Sequence, residues 1–150
     1  MNTVMLAQDF LSAEDLLGAS SPLPWPPRPA LEWVSAIRRG LSAAAVDALA
    51  KSLKISRAEL SQALNIPERT LARRKREGSM SSEESAKLVR LARVVHRAEE
   101  VFEGLDVALD WLKSPNAALS GQAPLNLVDT EMGAELVLDT LGRIEHGVFA

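Results

Sequence analysis

The chain has 150 residues, with 47% hydrophobic and 25% charged, enough for one compact domain or two small ones and unlike a disordered chain. It holds no cysteine, which excludes disulfides, thiolate zinc sites, iron–sulfur clusters and cysteine nucleophiles and suits a reducing cytoplasm. The net charge of −3 hides a gradient: residues 1–40 carry −1, residues 41–100 carry +4 (twelve basic, eight acidic), and residues 101–150 carry −6 (two basic, eight acidic). A basic middle joined to an acidic end predicts a polyanion-binding part and a part that meets something else.

In chain order, Leu6, Phe10, Leu11 and Leu17 fall at roughly helical spacing, which predicts a short amphipathic helix over residues 4–17. Asp9, Glu14 and Asp15 without any Lys or Arg in the first 17 residues do not read as a secretory signal. No apolar run in the chain approaches the roughly 18–20 residues of a membrane span. Five prolines between Pro22 and Pro29 cannot serve a helix or an inner strand, so this stretch is an extended arm with Trp25 available to dock on the folded body. Residues 1–29 form the N-terminal segment.

From Ala30 onward the pattern is helical, and no strand is expected. Leu31, Val34 and Ile37 recur every three residues, and Gly40 is a stop. Ser42 opens a helix carrying Val46, Leu49 and Leu53. Ser56-Arg57-Ala58-Glu59 is a capping box, and Asn65 tolerates the left-handed backbone that ends the helix. Pro67 has the fixed φ wanted at a first helical position, and Gly78 closes that helix. Ser81 to Glu84 forms another capping box, opening a helix to about Phe102. Leu88, Leu91, Val95, Ala98, Phe102 and Leu105 alternate by three and four, widened by Val89, Ala92, Val94 and Val101. That width favours burial in a core over a dimer seam. After Gly104 comes a helix from Leu105 to Leu112, then an apolar loop punctuated by Pro and Gly, then a last helix capped by Asp129 or Thr130 and running through Ile144. The expected class is all-α: a helix-turn-helix domain over residues 30–80, a connecting helix over 81–104, and a small helical domain over 105–150.

The chemistry concentrates between Ser56 and Arg76. Leu60, Leu64, Ile66 and Leu71 occupy offsets 0, 4, 6 and 11, where two helices crossing through a tight turn need apolar residues. Ser61 is small enough for close approach, and Asn65 substitutes for the usual turn glycine. The second helix presents Glu68, Arg69, Thr70, Arg73, Arg74, Lys75 and Arg76. Arginine can fork onto guanine, and Arg, Lys and Thr can bond phosphate. These residues, with Arg57 at the start of the preceding helix, are the candidate DNA contacts. Glu68 either accepts from a cytosine amino group or simply suits the helix start. A helix-turn-helix covers one half-site, so a homodimer is expected.

Nothing points to catalysis or to a resident metal or cofactor. His96 and His146 are 50 residues apart, there is no Gly-rich phosphate loop, and Asp106, Asp110, Asp129, Glu131, Glu135 and Asp139 lack a calcium-loop pattern. The helix with Trp111 and the loop from Ser114 to Leu125 either complete a core or build a binding surface. In the first case Trp111 is substantially buried with Leu112, Leu119 and Leu125.

The run W-L-x-S-P-N-x-A-L-x-G-x-x-P-L-x-L-x-x-T-x-x-G from Trp111 to Gly133, with the tail from Leu141 to Phe149, resembles the toxin-binding domain of Xre/MbcA/ParS-type antitoxins. Leu53 to Leu60 and Ile66 to Arg74 resemble that family's Xre-like helix-turn-helix. Ser120 stands where the family more often has Gly. The resemblance covers about residues 31–150. It implies a cytoplasmic type II antitoxin that neutralises a RES-domain, NAD⁺-consuming toxin by covering its active site and represses its own operon. The candidate toxin-binding residues are Trp111, Pro115, Asn116, Leu119, Gly121, Pro124 and Leu125, with Arg143, His146, Gly147 and Phe149 in the tail. The tail pairs an aromatic with a flexible glycine, a form that can enter a dinucleotide cleft. The alternative is a stand-alone helix-turn-helix regulator whose C-terminal domain dimerises or binds an effector. A RES-like gene beside this one separates the two.

Overall fold

A computed structural model describes residues 30–147 of the chain. The expected helix over residues 4–17, the proline-rich arm, Trp25 and Phe149 lie outside the described residues. Among the described residues the chain is helical, with no strand and only two isolated bridges, Ser42–Ser79 and Asn116–Gln122. They divide into two compact units, residues 30–89 and residues 90–147.

The first unit holds α1 (Ala30–Arg39), α2 (Ala44–Leu53), α3 (Arg57–Leu64), α4 (Glu68–Glu77) and the start of α5 (Ser82–Phe102). Local chemistry sets most of its boundaries. Ser56 Oγ accepts from Glu59 N at 3.1 Å while Glu59 Oε1 accepts from Ser56 N at 3.0 Å, so the predicted box is formed. Asn65 and Gly78 end α3 and α4 in left-handed backbone. Lys54 does the same for α2, at φ 56°, with no sequence signal for it. Pro67 sits one position earlier than expected, as the cap before Glu68.

The ends of the helix-turn-helix are tied by their linkers. Met80 N donates to Leu41 O at 2.8 Å, and Ala43 N donates to Gly78 O at 3.0 Å. Leu41 N donates to the buried Ser85 Oγ at 2.8 Å, so the amide is satisfied inside. At Gly40, φ +89°, a Cβ would lie 2.2 Å from the Met80 carbonyl oxygen, so only glycine fits there. The core is Leu41, Val46, Leu49, Leu53, Leu60, Leu64, Ile66, Leu71, Met80 and Leu88. The face expected on α1 is different: Leu31 is 79% exposed and Val34 38%, and only Ala36 of this helix is buried. Burial grows toward the C-terminal turn, because that is the end tethered through Gly40.

The second unit holds the rest of α5, α6 (Leu105–Lys113), two 3₁₀ turns (Ala117–Leu119 and Pro124–Asn126) and α7 (Glu131–Glu145). Leu91, Ala92, Val94, Val95 and Ala98 of α5 are all buried within this one chain. The wide seam is therefore core. It ends at Phe102, since Glu103 takes φ 57°, and Leu105 opens α6 instead of continuing α5.

The loop between α6 and α7 is built by side chains and backbone together. Asn116 Oδ1 accepts from Ala118 N at 2.8 Å, and Gly121 N donates to Asn116 O at 2.8 Å. Ser120 and Gly121 both take positive φ, 58° and 80°. Arg90 donates from Nε to Val128 O at 3.2 Å and from a terminal nitrogen to Asp129 O at 3.0 Å, which pins the approach to α7. Thr130, of the two expected caps, starts α7, its Oγ1 accepting from Gly133 N at 3.0 Å.

Candidate functional site

Around α4, Arg69, Arg73 and Arg76 stand at i, i+4 and i+7, and all three are exposed on one helix face. Among the described residues neither Arg69 nor Arg76 has an ion-pair partner, and Arg73 has only a loose one, Glu77 at 3.9 Å. Thr70 is half-buried on the neighbouring face, and Glu68 is exposed in the first turn, where a carboxylate suits the positive helix end.

Arg74 is turned away from this stripe. Its Nε donates to Glu84 Oε1 at 2.8 Å, one terminal nitrogen to Glu84 Oε2 at 3.2 Å, and the other to Glu77 Oε1 at 2.9 Å. The side chain is 23% exposed and that of Glu84 only 12%. This fork fastens α4 to the start of α5. Glu84 also accepts from Ser81 N at 2.8 Å and so closes the second capping box. Burial pushes the Glu84 carboxyl up, but the Arg74 and Ser81 bonds outweigh it and hold it below the ordinary range.

That depression has a pH consequence. Glu84 stabilises the folded unit fully above its unfolded value, about 4.3, and the contribution is lost as pH falls through the lower folded value. Replacing it, Glu84→Gln, should flatten the acid limb of stability while costing about 1.5–3 kcal/mol at pH 7, the range for bonds to charged groups. Urea melts at pH 7 and at acid pH check this. An acid limb as steep as the wild type's would place the acid-sensitive group elsewhere.

The two remaining cations share one anion. Arg57 donates to Asp47 Oδ1 at 2.9 Å, and Lys75 Nζ lies 2.9 Å from Asp47 Oδ2. Of seven candidate DNA contacts, then, three form an exposed stripe, Arg57 and Lys75 are neutralised by α2, Arg74 is committed to α5, and Thr70 is partly covered.

In the second unit the candidate residues separate by role. Asn116, Gly121 and Pro124 shape the loop: Asn116 caps the first 3₁₀ turn, Gly121 supplies positive φ, and buried Pro124 begins the second turn. Leu119 and Leu125 are buried core residues, and Pro115 is exposed. Trp111 is half-buried, not deeply packed as expected. Its ring lies 5.5 Å from that of Phe102, tilted by 43°, because Leu112 next to it takes the buried face of α6. Arg143, His146 and Gly147 are exposed at the end of α7, with Gly147 at φ 75°. Arg97 bonds Glu145 through both terminal nitrogens, which holds the last turn of α7 to α5.

The spacing did not single out the most exposed apolar side chains of this unit. On α7, Met132 is 75% exposed and Leu136 51%, and the two stand at i and i+4 on one face; Val107 of α6 is exposed as well. Glu131, Glu135 and Asp139 are exposed on the same helix. Large apolar residues among acidic ones form the kind of surface that a partner covers. The signal was present as a short run of apolar residues on the polar side of α7. Among the described residues no group of His, Asp and Glu could hold a metal ion, and no helix is long and apolar enough to cross a membrane.

Residues 97–147 match the antitoxin Xre/MbcA/ParS C-terminal toxin-binding domain, and residues 32–93 match the antitoxin Xre-like helix-turn-helix domain. The chain is 37% identical to Antitoxin Xre of Yersinia enterocolitica, covering 78% of this chain and 80% of that one. It is 28% identical to a Sphingobium protein named Prs ADP-ribosylating antitoxin, over 78% and 80% of the two chains. A chain of the M. tuberculosis MbcT–MbcA toxin–antitoxin complex superposes with a TM-score of 0.55 and 26% identity, over 72% of this chain and 96% of that one.

Proposed function

The chain belongs to the Xre/MbcA/ParS antitoxin family and is a type II antitoxin of a toxin–antitoxin system; on that premise we propose that it neutralises a RES-domain, NAD⁺-degrading toxin by covering its active site, and represses its operon as a DNA-binding homodimer in the cytoplasm. The observation that carries the toxin half is the exposed Met132–Leu136 face inside the region that matches the toxin-binding domain. Two large side chains left in water at i and i+4 cost nothing to the fold when a partner covers them and give that partner a desolvated anchor. The end of α7, with Arg143, and the residues that follow it, His146, Gly147 and Phe149, are the part that reaches into the cleft. The NAD⁺ chemistry is supported by the name of the Sphingobium relative, since ADP-ribosyl transfer draws its ADP-ribose from NAD⁺. Copurification of a tagged chain with the product of the adjacent gene tests the toxin half, and the absence of any such complex would leave the stand-alone regulator.

The DNA half rests on the α4 stripe. Arg69, near the helix start that enters the major groove, is the base-reading candidate, and Arg76 the phosphate contact. Arg69→Ala should cost about 1–3 kcal/mol on the operator and relax sequence preference, whereas Arg76→Ala should weaken all sequences alike and lower the salt slope by about one. Promoter titrations across a salt series read both. Equal behaviour of the two variants would remove the assignment of roles, and no binding by the wild type at low salt would remove DNA binding itself. Dimerisation is supported by half-site geometry and by the exposed Leu31 and Val34 of α1, which offer an apolar face.

A further inference from the structure

We propose that Asp47 is an internal phosphate mimic that occupies two of the candidate DNA-contacting cations, Arg57 and Lys75, in the free protein and is displaced by the DNA backbone, so that it weakens operator binding. The inference rests on the DNA-binding reading above and names a residue outside the α3–α4 pair that sets its strength. Asp47 lies on α2, one turn into the helix, and its two oxygens are divided. Oδ1 accepts from Arg57 at the start of α3, and Oδ2 lies 2.9 Å from Lys75 near the end of α4. A carboxylate and a phosphodiester present the same feature to these cations: two oxygens sharing one negative charge, at the distance of charge-assisted bonds. The geometry that receives a carboxylate between Arg57 and Lys75 therefore also suits a phosphate.

The competition can go either way only because the pairs are accessible. The side chains of Asp47, Arg57 and Lys75 are all more than one-third exposed, so each pair is worth at most about 1 kcal/mol in water and can be exchanged. The Lys75 ammonium, opposed by partial burial and then joined by Arg57, holds the Asp47 carboxyl below the ordinary range, so the carboxylate is charged whenever DNA approaches at neutral pH. The carboxylate is not what anchors α2 to the core. Asp47 is half-buried at the surface, while α2 is anchored by Val46, Leu49 and Leu53. Arg74 supplies the contrast within the same helix: its carboxylate partner is largely buried, caps α5 and is not available for exchange.

The test compares the full-length wild type, Asp47→Asn, Lys75→Met and the double variant by titration onto the promoter fragment and onto an unrelated duplex at several salt concentrations. Asparagine keeps the shape and removes the charge. Asp47→Asn should bind both duplexes about tenfold more tightly at low salt, and its dependence of log affinity on log salt should steepen by about one, the value for one more phosphate neutralised. The gain should shrink in the Lys75→Met background, because half of what Asp47 occupies is then gone. Unchanged or weaker binding by Asp47→Asn, with the wild type binding normally, overturns the mimic and makes Asp47 a clamp that positions the cations for DNA. A gain of the same size in the Lys75→Met background also overturns it, leaving a general charge effect. Failure of both wild type and Asp47→Asn to bind any duplex at low salt overturns the DNA-binding reading and the mimic with it. Matching circular dichroism melts confirm that the variants are compared as folded proteins.

Discussion

Gly133→Ala should abolish the toxin-binding unit while leaving the helix-turn-helix unit helical. Gly133 stands in the first turn of α7, where its amide donates to Thr130 Oγ1. A Cβ at this position would lie 1.7 Å from the Leu127 carbonyl oxygen and 2.7 Å from its carbon. The obstacle is backbone, so no rotamer change can relieve it. Nor can the loop retreat freely, since Arg90 holds the carbonyls of Val128 and Asp129 just beyond. Overpacking of a flexible neighbour costs about 1–3 kcal/mol; a methyl driven into a fixed carbonyl belongs to the rare group above about 4 kcal/mol. Urea unfolding followed by Trp111 fluorescence in a chain also carrying Trp25→Phe and Trp33→Phe is the direct measure, and a loss under about 1 kcal/mol would mean that α7 shifts without penalty. Thr130→Ala, which removes only the cap, should cost about 1 kcal/mol at the same site.

Leu136→Asp should separate binding from folding. Half of this side chain is already in water, so the fold loses little, whereas an interface anchor replaced by a charge should lose about a hundredfold in toxin affinity. A partner that complements the acidic surface around Glu135 and Asp139 is itself basic and does not repel the new carboxylate at long range, so the loss reads the missing apolar contact. Deleting residues 146–150, which spares the Arg97–Glu145 pair, tests the other half of the interface. If the tail is the plug and α7 the anchor, the truncated chain should still copurify with the toxin yet fail to protect NAD⁺ in cells expressing both. Full protection by the truncated chain would move occlusion from the tail to α7 and the Trp111–Leu125 segment. A Leu136→Asp protein that binds the toxin with unchanged affinity would instead place the contact off this face.

The elements that the sequence by itself determined are those set within a few residues of chain. The Ser56–Glu59 and Ser81–Glu84 boxes and the helix ends at Asn65 and Gly78 all depend on neighbours three or four positions away, as does the start of α7, which the sequence narrowed to Asp129 or Thr130. The buried spacing of Leu60, Leu64, Ile66 and Leu71 was legible for the same reason. The resemblance carried by Trp111 to Gly133 identified the C-terminal domain, yet many of those residues turn out to build the loop and the entry to α7.

Which way a side chain points once helices pack was decided only by tertiary structure. Arg73 and Arg74 are adjacent and chemically identical, but a carboxylate ten residues beyond Arg74 turns it inward and leaves Arg73 on the surface. Asp47 meets Lys75 across 28 positions of sequence, a pairing no local pattern encodes. Trp111 and Leu112 are adjacent on α6, and Leu112 joins Ala108 and Leu109 on the buried face while Trp111 stays half-buried beside Phe102. Leu31, Met132 and Leu136 are all large and apolar, but burial depends on whether another element arrives to cover them, and among the described residues none does so fully. Gly133 is the same lesson in backbone: its necessity comes from the Leu127 carbonyl, which the loop and Arg90 bring against it.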